Sequence, residues 1–396
     1  MNSAHDFDDT QRLLRDSLQR WLDERFAFEQ RLKLLAQPQG LQALWRGLAD
    51  DLGLLGSAFA EHAGGAGGGA AGHLLVMQAL GSALAGEPYL GGAVISGGLL
   101  ARCGADAELA ALIEGRLRPA WAGLEPGARH DSETPRTTLR PAGAGWRLDG
   151  RKSLVLGAPG ATHFVVGAAL GGDAGRGRDD RDAGTVGGAG GDADFGLAWV
   201  PADAAGLTRR DYRTVDGSWA SELAFDGVEL PADSLLGGPG APARAIVQRT
   251  LDEATLALCA EAVGVMGRLL DATIDYARQR KQFGQPIGAF QVLQHRIADM
   301  HVARLQAEAL TWDSLAQIDA APAQRERAVS AAKVIAVRAC RIVGQGAVQI
   351  HGGMGMTEEL AVGHYFRRAT MIEAQLGSVD WHLRRVERRS AASGGA

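Results

Sequence analysis

The sequence predicts an α+β chain in which a helical segment precedes a small β domain and a helical bundle closes the order. Three observations carry this. From Asp6 to about Arg118 the apolar residues recur at helical spacing. From about Trp121 to Leu236 they fall in short bursts between Gly, Pro and Asp. Beyond Ala243 the helical period returns for about 140 residues. The chain has 396 residues, enough for two or three units at roughly 150 residues each. The expected divisions are residues 1–120, 121–236 and 237–396.

The first amphipathic segment places Leu14, Leu18, Trp21, Leu22 and Phe26 on one face. A glycine cluster, Gly64 to Gly72, then breaks the helical runs. Within it Gly65, Gly67 and Ala70 fit the spacing G-x-G-x-x-A of a dinucleotide loop. That fingerprint needs a strand before it and a βαβ unit after it. Neither pattern is visible, so the cluster reads as a helix–helix loop. The bursts GWRLDG, THFVVGAAL, FGLAWV and SELAFDGVELP read as strands. Between the second and third, Gly171 to Asp194 is low in complexity and lacks the apolar residues that ordering requires, which predicts a flexible loop. In the last third Leu258, Ala262, Val265 and Leu269 form one stripe while Val263, Met266 and Leu270 make the adjoining face apolar too. Such a helix is expected to be buried on most sides.

Composition excludes several functions. With 41 Lys+Arg against 46 Asp+Glu, the chain offers no polyanion-binding surface, and nucleic acid is not an expected partner. Cys103, Cys259 and Cys340 lie far apart with no C-x-x-C pair, which points away from disulfides and zinc and toward a reducing cytoplasm. The ten histidines show no ligand spacing, so no metal is expected. The start, MNSAHDFDDTQRLLRDSLQRW, is acidic and polar rather than signal-like, and no apolar run approaches the ~18 residues of a membrane span. The G-x-S-x-G, Walker and H-E-x-x-H signatures are missing.

Two C-terminal segments carry more. RQRKQFGQPIGAFQVLQHRIADM, Arg278 to Met300, is a basic helix end, a Gly-Pro break and a new helix opening at Phe290 and Gln291. AVQIHGGMGMTEEL, Ala347 to Leu360, runs a helix into Gly352-Gly353. Paired glycines let a backbone approach a ligand and present amides to a phosphate, although a plain helix end has the same pattern.

In this order and spacing the two segments resemble the acyl-CoA dehydrogenase family, whose signatures R-K-Q-F-G-Q-P-I with F-Q-x-x-Q, and Q-I-H-G-G-M-G-M-T-E, they contain. The resemblance spans nearly the whole chain through LGLLGSAFAEHAGGAGGG, LEPGA and GWRLDGRKSLV, and is greatest for the small subunits of pimeloyl-CoA dehydrogenase and related two-subunit enzymes. It implies an N-terminal helical domain, a central small β-barrel domain and a C-terminal four-helix bundle. It further implies FAD, an acyl-CoA substrate oxidised to its α,β-enoyl product, and an electron-transfer flavoprotein as electron acceptor. A carboxylate takes the α-proton while the β-hydrogen leaves as hydride to the flavin.

Carried over residue by residue, the resemblance gives an uneven result. Arg280, Phe283, Gln349, Gly352 and Gly353, with Gln291 as a weaker member, match positions that reach across a dimer interface to the pyrophosphate and adenine end of FAD. The within-chain flavin positions, normally a Thr before E-P-G-A and a W-I-T triplet, read Leu124 and Leu154-Val155-Leu156. Leucine packs but forms no side-chain hydrogen bond. The usual glutamate position is Leu376, with Ser378 in place of the family's flavin-touching Thr. The alternative glutamate position, ahead of an Arg, falls on Ala254 and Thr255. Glu253 and Glu373 are the acids nearby, Glu253 about 100° around the helix from the alternative position and Glu373 about one turn from the usual one. The leading expectation is therefore a chain without its own base, working in a heterotetramer with a homologous subunit. The other readings are a self-sufficient homotetramer using Glu253 or Glu373, and a non-catalytic structural subunit.

Overall fold

A computed structural model describes residues 9–37, 40, 42–130, 132, 134–171 and 194–393, the side chains of 389–393 excepted. The low-complexity segment from Gly171 to Asp194 lies, for residues 172–193, outside the described residues.

The N-terminal unit is helical. Helix α1 (Asp9–Arg25) buries Leu18 and Leu22 on the face read from the sequence, and Phe26 follows just past its end. After α2 (Phe28–Leu35) and α3 (Gln42–Asp50) the glycine cluster forms a loop, and Gly69 opens α4 (Gly69–Ser82). Among the described residues no strand precedes it, so the dinucleotide spacing is a helix start. A π-helical turn (Leu90–Gly97) continues into α5 (Gly98–Arg102), and α6 (Asp106–Ile113) ends the unit. The glycines of the π-helical turn admit neighbours that a side chain would exclude. At Gly92, for example, a Cβ would stand 2.9 Å from the Trp45 ring.

The middle unit is one seven-stranded sheet: β1 (Pro119–Ala122), β2 (Thr138–Ala142), β3 (Gly145–Leu156), β4 (His163–Leu170), β5 (Phe195–Pro201), β6 (Leu207–Arg213) and β7 (Trp219–Leu230). The order is β1-β4-β2-β3-β7-β6, with β5 also on β4. β1 and β2 both lie parallel to β4; the other pairs are antiparallel. The small barrel takes the form of a curved half-barrel around Leu139, Leu148, Phe164, Val200 and Val228. Its other face, with Val165, Phe195 and Leu197, joins the helical core.

Helices α7 (Ala243–Gln279), α8 (Gln291–Leu315), α9 (Pro322–His351) and α10 (Ala361–Ala374) form the bundle, and α11 (Val379–Ser393) packs on α9. Leu258, Ala262, Val265, Leu269, Val263, Met266 and Leu270 are all buried, so α7 is the central rod that both apolar faces imply. Between α7 and α8 stands a tiny hairpin, β8 (Lys281–Gln282) and β9 (Gln285–Pro286).

Candidate functional site

One end of the bundle gathers the residues that the resemblance places across an interface. Helix α7 stops because Arg280 turns extended, and the β8–β9 hairpin carries Phe283 and Gly284 at its tip, both with positive φ. Phe283 is 92% exposed and meets only the edge of Phe290, 6.1 Å between centroids. The Arg280 carbonyl accepts from the Ile287 amide at 2.8 Å, while its guanidinium makes no ion pair among the described residues. At the end of α9 the His351 ring stacks on Tyr276 at 4.3 Å, so the ends of α7 and α9 are held against each other. Gly352 follows at φ 62°, and a Cβ on Gly352 or Gly353 would meet nothing within 4 Å. Gln349, on α9, and Gln291, at the start of α8, are exposed. Arg280, Phe283, Gln291, Gln349, Gly352 and Gly353 are therefore presented outward, with open space before the two glycines.

The within-chain positions lie elsewhere, on the sheet and at the α10–α11 turn. Glu125 of L-E-P-G-A is buried and accepts from Lys152 Nζ (2.7 Å) and from the amides of Arg136 (2.7 Å) and Thr137 (3.0 Å). Burial alone would raise its pKa, yet Lys152 and these hydrogen bonds hold it below the usual carboxylate range. The Ser153 amide donates to the Leu124 carbonyl at 2.9 Å, which sets Leu124 beside Leu154. His130, farther along the same loop, touches the edge of Trp381 and so reaches the α10–α11 turn.

That turn contains Leu376, and its backbone is fixed from several sides. Lys333 is fully buried and donates to the carbonyls of Ile372 and Gln375, each at 2.6 Å. Burial lowers the Lys333 pKa to about 8. His382 bridges Ser330 Oγ (3.0 Å) and the Leu376 carbonyl (3.0 Å), and burial lowers it to about 3, so the ring is neutral. Gly377 has φ 108° and a Cβ there would stand 2.6 Å from His382 Nε2; only glycine fits. Ser378 Oγ accepts from the Trp381 amide at 3.3 Å, so the hydroxyl expected at the flavin caps α11.

Among the described residues five non-glycine residues have left-handed φ, and three of them are Leu154, Phe283 and Leu376. A branched or bulky side chain in that region is strained by about 1–3 kcal/mol. The backbone at Leu154 and Leu376 is thus held in a conformation that the leucine side chain itself disfavours.

The two nearby acids are already engaged. Glu253 is buried on α7 and pairs with Arg102 (2.7 Å) and Arg249 (2.8 Å). Glu373 sits on the outer side of α10 and is paired with Arg341 Nε at 2.9 Å. Ala254 is wholly buried, and the Thr255 hydroxyl donates to the Leu251 carbonyl within its own helix.

A buried charge cluster went unread in the sequence. Arg368 on α10 donates to both oxygens of Glu261 (2.6 and 2.7 Å) and to Asp216 (2.9 Å). Against the opposing effect of burial, these partners raise the Arg368 pKa and lower that of Asp216. Glu87 lies in the same field; burial pushes its pKa up to about 7, and Oε1 has no hydrogen-bond partner among the described residues. The available signal was an acid inside an apolar run, LALCAEAVGVM for Glu261 and LAGEPYLGG for Glu87. Among the described residues no group of three His, Cys, Asp or Glu could hold a metal, and no helix is long and apolar enough to cross a membrane.

Residues 8–115 match the family model described as acyl-CoA dehydrogenase, N-terminal domain, and residues 244–391 match its C-terminal domain. The chain belongs to the acyl-CoA dehydrogenase family. Acyl-CoA dehydrogenase FadE27 of Mycobacterium tuberculosis is 32% identical over 364 residues, 88% of each chain. The human short-chain specific acyl-CoA dehydrogenase is 31% identical over 258 residues, 64% of this chain but only 58% of that enzyme. Among the similar solved structures, two that each cover 98% of this chain are paired proteins by name. The Tcur3481-Tcur3483 steroid enzyme has 28% identity and a TM-score of 0.83 over 99% of its own chain; the ChsE4-ChsE5 complex of Mycobacterium tuberculosis has 26% and 0.82 over 98%.

FAD, the cofactor of acyl-CoA dehydrogenases, fits the two halves of the site differently. The outward end offers an unpaired guanidinium, an exposed aromatic ring and open space before two glycine amides, the chemistry a dinucleotide phosphate and adenine require. The inner half offers Leu124, Leu154 and Leu376, whose side chains have no hydrogen-bonding group for a flavin ring.

Proposed function

We propose that the chain is the base-lacking subunit of a heteromeric FAD-dependent acyl-CoA dehydrogenase that converts an acyl-CoA thioester to its α,β-enoyl product. One observation carries the reading: the positions that act across an interface are intact and exposed, whereas those that act within the chain have lost their polar groups. Paired names among the similar structures, Tcur3481-Tcur3483 and the ChsE4-ChsE5 complex, support it. So does the resemblance to the small subunits of two-subunit enzymes.

In this reading Arg280 neutralises the pyrophosphate of an FAD seated mainly in the partner chain. The Gly352-Gly353 amides approach the same phosphates, Gln349 and Gln291 hydrogen-bond nearby, and Phe283 covers the adenine end. FAD, when bound, supplies the hydride acceptor. The partner's carboxylate takes the α-proton, and an electron-transfer flavoprotein removes the electrons. Leu376 takes no proton, and the bonds of Lys333 and His382 keep its turn in shape.

The test is reconstitution. The chain and its homologous partner are purified separately and mixed, and flavin content and turnover are measured on a panel of straight-chain, dicarboxylyl and ring-bearing acyl-CoA thioesters. Flavin retention and turnover are expected only in the mixture. Full dehydrogenation by this chain alone would favour a homotetramer using Glu253 or Glu373, and a complex without flavin would favour a structural subunit.

A further inference from the structure

The outward end of the bundle is built from two chain segments, each shaped by its own backbone. At the end of α7 the Arg280 amide donates to the Tyr276 carbonyl and the Ile287 amide to the Arg280 carbonyl, each at 2.8 Å, which fixes the hairpin bearing Phe283. At the end of α9 the Gly352 amide donates to the Val348 carbonyl. A pair of rings holds one segment against the other. Tyr276 and His351 stack with centroids 4.3 Å apart and planes 26° from parallel. Each ring belongs to a residue that sets its own segment: Tyr276 supplies the carbonyl that ends α7, and His351 immediately precedes Gly352. The His351 ring is 5% exposed, and its Nδ1 lies 2.8 Å from the Ala347 carbonyl. A carbonyl only accepts, so Nδ1 carries the proton and the plane of the ring is fixed.

We propose that Tyr276 and His351 are positioning residues for the cofactor: their stack couples the Arg280 hairpin to the Gly352-Gly353 turn, so that guanidinium and glycine amides meet one pyrophosphate as a preformed unit. Neither ring touches the ligand in this arrangement. The two phosphates of a dinucleotide are neighbours, so a cation and an amide pair serve them together only when the spacing between the two is set in advance. Without the stack each segment still folds, but ordering the two on the ligand then costs affinity. This rests on the reading that FAD phosphates come to this end. It makes the two sequence signatures, R-K-Q-F-G and Q-I-H-G-G, one functional element joined by a ring contact.

The test uses the reconstituted complex and, separately, this chain alone. Tyr276→Leu and His351→Leu each keep an apolar side chain and remove the stack, whereas Tyr276→Phe keeps it. The flavin dissociation constant of the complex is expected to rise about fivefold in each leucine variant, the loss of one aromatic pair. It should rise no further in the double variant, and stay within about twofold of native for Tyr276→Phe. In the chain alone, hydrogen exchange at Gly352 and Gly353 should quicken in the leucine variants while the rest of α9 stays as protected as in the native chain. Native-like flavin binding in both leucine variants overturns the inference, and so do losses that add in the double variant. A general rise in exchange along α7 and α9 overturns it too, because the rings then have a merely structural role. Arg280→Ala separates this from the reading beneath it. A complex that keeps flavin without Arg280 sinks the phosphate placement and the positioning role together; flavin that depends on Arg280 but not on the stack sinks the positioning role alone.

Discussion

Replacing Glu87 by Gln should stabilise the protein, and increasingly so as the pH rises. Glu87 is 6% exposed, its Oε1 has no partner among the described residues, and it faces Arg368, Glu261 and Asp216, where one guanidinium already serves two carboxylates. Burial is the main reason its pKa rises from 4.5 to about 7. A folded pKa above the unfolded one means that the folded state holds the proton more tightly. Stability from this group is therefore present below about 4.5, declines as the pH climbs toward about 7, and is absent above that. At about 1.4 kcal/mol per pKa unit the whole loss is about 3 kcal/mol. Glutamine is neutral at every pH and nearly isosteric, so the variant escapes this loss. Thermal melts of both proteins at pH 5.5 and pH 8.5 decide the matter. The gap in favour of the variant should widen by about 2 kcal/mol equivalents between the two conditions. The buried histidines titrate in both proteins and cancel in the difference. A gap that stays constant, or a variant that is less stable at pH 8.5, would refute the account of Glu87 as a mostly neutral buried acid.

Further outcomes follow from the same geometry. Arg280→Ala should leave the Tm within about 0.5 kcal/mol equivalents of native, because the side chain is exposed, yet strip flavin from the reconstituted complex on gel filtration. Glu373→Gln should leave turnover of the complex within about twofold and cost at most about 1 kcal/mol, since it removes one surface ion pair. Glu253→Gln should likewise spare turnover but destabilise by about 3 kcal/mol, because Arg102 and Arg249 lose a buried shared partner; chemical denaturation reads it. Glu125→Gln should loosen the L-E-P-G-A loop and cost a similar amount, with hydrogen exchange rising first at Arg136 and Thr137, whose amides it accepts.

Much of this was legible in the sequence, for identifiable reasons. The buried faces of α1 and α7 follow directly from the spacing of Leu18, Leu22, Leu258 and Val265, since helical period alone decides them. Four of the strands showed as apolar bursts. The others were hidden: β6 reads LTRRDYR, an edge strand whose side chains are mostly outside, and β2 contains Pro141. At the candidate site, the exposed motif was readable because its residues lie close together in the sequence, in the two segments 278–300 and 347–360. The Arg368 cluster was not, because it depends on side chains from distant elements meeting, as Asp216 and Glu261 do at Arg368.

That cluster has a consequence for how the molecule can be divided. Glu87 belongs to the N-terminal helices, Asp216 to a turn of the sheet, and Glu261 and Arg368 to the bundle. No unit holds the whole cluster: the bundle pairs Arg368 with Glu261, but the second anion on that guanidinium, Asp216, comes from the sheet. Expressed apart, the sheet would expose Asp216 without its cation, and the bundle would keep a guanidinium lacking one of its two anions. The boundaries visible along the chain are thus not lines along which it can be cut. The three units are expected to melt together, and to be inherited together, as one electrostatic whole.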